Sequence, residues 1–371
     1  MGLFDRYIAV DWSAANTPRA GKDSIWIADS AAASINPSTR HEAMAVVTDR
    51  LLAARAAGER VMLGFDFVFG YPQGAADAIV DAFPERPANP TSTAPLAGEV
   101  AQLGALAPSA AGRGVLADAS CKPPAHPLPS SAKALARPSS ATLPARGRVG
   151  RPALAEGSVS SSAGTWTALW SLLHALVVDN PDNSSNRFHV AAAINARLAA
   201  PHYWGHPHQH RYDNLGPRRP AAYATIPERR RAEIVARSAQ PVWKLTGAGA
   251  VGSQSLLGIA HLEALRRHPV LGPEIAVWPF ETDFAGDLAA PITVVEIYPS
   301  LFPLDDPSLT PKDRGQVETC VRRFAAMDAA GELRRFLEAP VGLGAAEREA
   351  LVREEGWIAG VGHADVASAA A

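Results

Sequence analysis

Three apolar runs that each close on a lone carboxylate constrain this 371-residue chain more than any other feature. Tyr7-Ile8-Ala9-Val10 ends at Asp11, and Val61-Met62-Leu63-Gly64-Phe65 ends at Asp66. Ile292-Thr293-Val294-Val295 reaches Glu296, with Ile297 beyond it. Runs this short and this apolar read as buried strands. An acid at the end of a buried run is costly unless it is paired, hydrogen-bonded or metal-bound. In an open α/β sheet, strand ends are also where sites assemble.

The rest of the pattern alternates strands with helices. Residues 24–28 and 275–278 read as further strands, and Val242-Trp243-Lys244-Leu245 as a short one. Helical spacing runs from Ser38 to about Ala57, with Met44, Val47, Leu51 and Leu52 on one face, and Gly58 supplies a stop. Further helices are expected over 166–178, 186–199, 227–238, 253–267, 313–329 and 344–355. Pro227 is placed to open one of them and Ser253 to N-cap another. The fold class is therefore α/β.

One composition break interrupts this alternation. From 101 to 164 the chain turns to Ala, Ser, Pro and Gly. Its charges are Arg113, Lys122, Lys133, Arg137, Arg146, Arg148 and Arg151 against Asp118 and Glu156. That is too little apolar surface to offset the entropy of ordering, so a disordered, low-complexity insertion is expected. A nucleic-acid-binding arm is the competing reading, but the basic residues are scattered and lack interleaved aromatics. Residues 1–100 and 165–371 then read as two parts of a single interrupted domain with a helical C-terminus.

Composition excludes several classes. Hydrophobic residues make up 47% and charged residues 19%, as in a globular protein. Lys+Arg 35 against Asp+Glu 37 gives no global reason to expect nucleic-acid or acidic-membrane binding. Cys121 and Cys320 alone cannot build a disulfide framework or a thiolate metal site. No apolar run is long enough to span a bilayer, and residues 1–10 lack a signal-peptide core, so a cytoplasmic protein that does not engage membranes is expected.

Asp11, Asp66 and Glu296 are the candidate site, with Asp313 at the start of a C-terminal helix as a fourth member. Converging carboxylates repel one another. Mg²⁺ or Mn²⁺ relieves that repulsion, takes hard oxygen ligands and supports phosphoryl-transfer chemistry. In the competing reading each acid is structural and caps a turn, braces the Phe69-Gly70-Tyr71-Pro72 turn, or complements a helix dipole.

These segments carry a resemblance. Ile8-Ala9-Val10-Asp11, Gly64-Phe65-Asp66 leading into Phe69-Gly70-Tyr71-Pro72, and Val295-Glu296-Ile297-Tyr298-Pro299 resemble the three signature segments of the DUF429 family of predicted nucleases. That family is similar to the ribonuclease H-like superfamily. The resemblance covers the first hundred residues and those after about 165. It implies a mixed sheet flanked by helices, with Asp11, Asp66 and Glu296 at metal-binding positions and Asp313 as the helix acid. The superfamily opens with three antiparallel strands, of which the pattern is plain for two. Residues 31–35 would supply the third.

Gly247-Ala248-Gly249-Ala250-Val251-Gly252 matches G-x-G-x-x-G at a helix start. It lacks the firm preceding strand of a dinucleotide site. A loop contacting a substrate phosphate fits better, with Lys244, Gly247, Gly249, Gly252, Ser253 and Gln254 as the candidate residues. Close backbone packing explains the same glycines equally well. His202, His206, His208 and His210 form a histidine-rich loop without cysteine. It reads as a satisfied or exposed loop rather than a zinc site.

The expected activity is divalent-metal-dependent hydrolysis of a phosphodiester, in nucleic acid or a nucleotide-like phosphate. Two alternatives come from other classes: a nucleotide-handling enzyme of molybdopterin or cobalamin cofactor biosynthesis, and a non-catalytic binding protein that retains the fold.

Overall fold

The structure, a computed structural model, describes residues 2–84 and 165–363. The insertion expected at 101–164 lies outside the described residues. Among the described residues there are six strands: β1 (Arg6–Asp11), β2 (Trp26–Asp29), β3 (Ala32–Ile35), β4 (Val61–Phe65), β5 (Ile275–Val277) and β6 (Ile292–Glu296). They form one mixed sheet in the order β3-β2-β1-β4-β6-β5. β1, β2 and β3 pair antiparallel, and β4, β6 and β5 run parallel to β1 and to one another. The fold is α/β, and strands from both sides of the undescribed segment share this sheet. β3 is the third antiparallel strand. Its Ala-Ala-Ser-Ile sequence is weakly β-prone, so pairing with β2 rather than propensity holds it.

Side-chain alternation divides the core in two. Ile8, Val10, Leu63, Phe65 and Val294 face one cluster; Tyr7, Ala9, Met62 and Val295 face the other. Helices α1 (Arg40–Ala57), α2 (Ala75–Asp81), α3 (Thr165–Leu176) and α4 (Arg187–Arg197) pack on the first side. A short α5 (Arg231–Val235) follows, and then α6 (Gly252–Arg266), which returns to that side. Helices α7 (Lys312–Ala329) and α8 (Leu333–Phe336) cover the second side through Val317, Cys320, Phe324 and Phe336. The chain then forms α9 (Ala345–Ala350) and a π-helical turn, Leu351–Glu355. No described helix is long and apolar enough to cross a membrane.

Helix α1 starts at Thr39, whose Oγ1 accepts the Glu42 amide at 3.1 Å, and stops at Gly58 with φ 73°. Thr39→Ala removes that cap and should cost about 1 kcal/mol, read as a lower urea midpoint with an unchanged slope.

Three local expectations differ from the structure. Residues 242–245 form no strand; Lys244 makes only an isolated bridge to Trp204, which also bridges Gly216, between prolines at 201, 207 and 241 that limit further pairing. The helix expected over 227–238 shrinks to α5, because Arg230 is extended (ψ 163°) to reach buried partners. Ser253 is not an N-cap: Val251 holds that position, and Ser253 lies within the first turn.

Candidate metal centre

β1 and β4 lie side by side with Val10 opposite Phe65, and the Asp66 amide donates to the Val10 carbonyl at 3.0 Å. Asp11 and Asp66 therefore leave the sheet as neighbours at one rim. Among the described residues, neither carboxylate accepts a hydrogen bond or pairs with a cation. Burial, followed by the charge of Glu296, pushes Asp66 up to about 7. Burial also lifts Asp11 well above the usual carboxylate range, reinforced by the charges of Asp66, Asp313 and Asp23. Two adjacent acids are thus held against their preferred state, with no described cation to relieve them.

Asp313, in the first turn of α7, belongs to the same electrostatic neighbourhood. Its Oδ2 accepts the Asp23 amide at 2.7 Å. Asp23 is a member that sequence pattern alone did not reveal. It lies in the β1–β2 connection with φ 55°, and the pairing of Asp11 with Trp26 brings that connection back to the rim. The antiparallel return of β2 past Asp11 is the signal that would have found it. Cys320 of α7 is buried, as expected of a core residue. Burial and the nearby Asp66 and Asp11 charges push its thiol up.

Glu296 behaves differently. It sits opposite Phe65, one step out of phase with Asp66, and so departs toward the other face of the sheet. Arg230 grips it at both oxygens, Nη2 to Oε1 at 2.5 Å and Nη1 to Oε2 at 2.9 Å, while the Phe69 amide donates to Oε2 at 2.9 Å. Arg230 also donates to Glu233 Oε1 at 2.6 Å and to the Glu355 carbonyl at 2.8 Å. Burial works against its charge, but Glu233 and Glu296 outweigh it and hold the guanidinium firmly protonated. The expectation that Glu296 is a ligand gives way to a paired, anchored carboxylate. No three of Asp11, Asp66, Glu296 and Asp313 bring their oxygens within 4.8 Å of one another.

A cleft of about 390 Å³ opens beside Asp66 and Glu296 and is walled by Gly247, Gly249, Gln254 and Tyr298. The glycine loop thus lines the same cleft as Asp66. Gly247 (φ 92°) and Gly249 (φ 68°) form its turn, and α6 begins directly behind it. Two expected helpers are otherwise engaged. Lys244 Nζ folds back onto the Ala248 carbonyl at 2.6 Å and Gln240 Oε1 at 3.2 Å, bracing the loop. Ser253 is buried, donating to the Leu245 carbonyl and accepting from Arg187 Nε at 3.0 Å. Gly252 serves close packing, since a Cβ there would lie 2.2 Å from the Val242 carbonyl oxygen. Gly252→Ala should destabilise the fold by about 1–3 kcal/mol, measurable by denaturant unfolding.

The histidine loop holds aromatic packing. His202 is buried against Trp243 and Tyr223, and His206 and His210 flank Tyr212. No protein-family model, curated protein or solved structure matches the chain.

Proposed function

We propose that the chain is a ribonuclease H-like, divalent-metal-dependent phosphodiester hydrolase centred on Asp11 and Asp66. The observation that carries this reading is the unpartnered, mutually repelling pair at adjacent ends of parallel strands, beside a cleft. The strand order, three antiparallel strands followed by parallel ones, and the DUF429-like segments support it. The donor set suits Mg²⁺ or Mn²⁺, because such ions are commonly held by one or two carboxylates plus substrate phosphate and water. When bound, the ion would supply Lewis acidity and an activated water.

The chain's own residues would do the rest. Asp11 and Asp66 provide the oxygens, and Asp313 and Asp23 hold the rim negative. Arg230 fixes Glu296 beside Asp66. The glycine loop borders the cleft in which an anionic phosphate would sit, with the start of α6 directly behind it. Purified protein should cleave bis(p-nitrophenyl) phosphate or a labelled oligonucleotide with Mn²⁺ and lose that activity in EDTA. Metal-independent cleavage, or none on any phosphodiester while ATP or GTP stabilises the protein, would favour the nucleotide-handling alternative.

A further inference from the structure

The strongest convergence of metal-ligating atoms among the described residues includes none of the strand-end acids. His41 of α1, Asp179 in the turn after α3 and His261 of α6 place one ligand atom each within 4.8 Å of the others. It is the one such group of three among the described residues. His261 Nε2 lies 2.8 Å from Asp179 Oδ2, and His41 Nε2 lies 3.0 Å from the Asp179 carbonyl. Both Nε2 atoms thus converge on one residue, and the rings meet edge-on at 5.4 Å.

What surrounds the group resembles the outer support of a metal site. Fully buried Arg40 clamps Asp179 through Nε to Oδ2 at 2.7 Å and Nη2 to Oδ1 at 2.6 Å. The same guanidinium is held by the carbonyls of Ala15 and Asn183, which prevents the carboxylate from swinging away. Trp12 packs edge-on against the His261 ring at 5.5 Å. His41 is exposed, and besides its edge-on contact with His261 its one hydrogen-bond partner is the Asp179 carbonyl, so the core does not depend on it.

We propose that His41, Asp179 and His261 form a binding site for a borderline divalent cation of the Zn²⁺ type. Two imidazoles select against Mg²⁺ and Ca²⁺, which require oxygen ligands. Metal–ligand distances of about 2.0–2.2 Å put ligand atoms about 3.3 Å apart around a tetrahedral ion. His261 and Asp179 therefore need to part only slightly. Three protein ligands leave a position for water, and the ion would tie together α1, the α3–α4 turn and α6.

The test is a Co²⁺ and Zn²⁺ titration of the untagged chain, followed by visible absorption and calorimetry. Wild type should show nitrogen-ligated Co²⁺ that Zn²⁺ displaces. His41→Ala and His261→Gln should each weaken binding by more than about 10-fold, since even outer partners of ligands are worth 10–100-fold. Asp66→Asn should bind as wild type does, which separates this site from the strand-end acids. His41 is exposed, so His41→Ala should keep the wild-type melting curve and leave the binding result interpretable. Equal Co²⁺ affinity in wild type and both histidine variants would overturn the assignment, including the case in which the 202–210 histidines bind the ion. So would the absence of any nitrogen-ligated Co²⁺.

Discussion

Asp66→Asn should make the metal-free protein more stable at pH 8 while abolishing its stabilisation by Mn²⁺. The two effects have one cause. In the fold Asp66 titrates at about 7 rather than 3.8, so the native state binds a proton that the unfolded chain has already lost. Stability of the metal-free protein therefore falls as pH rises from about 4 to about 7, and then levels. That displacement corresponds to about 4 kcal/mol, which solvent at the cleft mouth screens to about 2 kcal/mol. Asparagine removes the charge, so the gain of about 2 kcal/mol should be present at pH 8 and absent near pH 4. On the proposed reading the same substitution would remove a ligand oxygen, so that any Mn²⁺-dependent phosphodiesterase activity should drop by about 100-fold or more. Thermal melts at pH 4 and pH 8, with and without Mn²⁺, read both effects. A variant less stable than wild type at pH 8 would mean that the carboxylate has a partner in solution.

Arg230→Met should cost about 3–5 kcal/mol, because it strands Glu296 and Glu233 as buried charges without a counter-ion. Adding Glu296→Gln to that background should recover part of the loss, a coupling that a double-mutant cycle in urea would measure. Glu296→Gln alone should leave the Mn²⁺ response in place, in contrast to Asp66→Asn. If it abolished that response as completely, Glu296 would be a ligand, and its pairing with Arg230 would have to break when metal binds.

The contrast between Asp66 and Glu296 marks how far the sequence could be read. The strand-forming runs were legible because each is apolar and bounded, and so was the acid at each end. Register was not. Whether Glu296 stands in phase with Asp66 depends on its lying opposite Phe65, a one-residue matter that no local pattern encodes. Arg230 was hidden for a related reason. It sits in Arg229-Arg230-Arg231, a run that reads as a solvated helix face, yet it is fully buried between two glutamates. The glycine motif was found, but its glycines divide between a turn at 247–249 and close packing at 252. His41, Asp179 and His261 are far apart along the chain and meet only when α1 and α6 pack on the same face of the sheet.

Electron paramagnetic resonance of Mn²⁺ with wild type, Asp11→Asn and Asp66→Asn is the decisive measurement for the paired aspartates. Wild type should bind Mn²⁺ stoichiometrically, both aspartate variants should lose that binding, and Glu296→Gln should retain it. Undiminished binding in Asp11→Asn and Asp66→Asn would contradict a metal centre built on this pair.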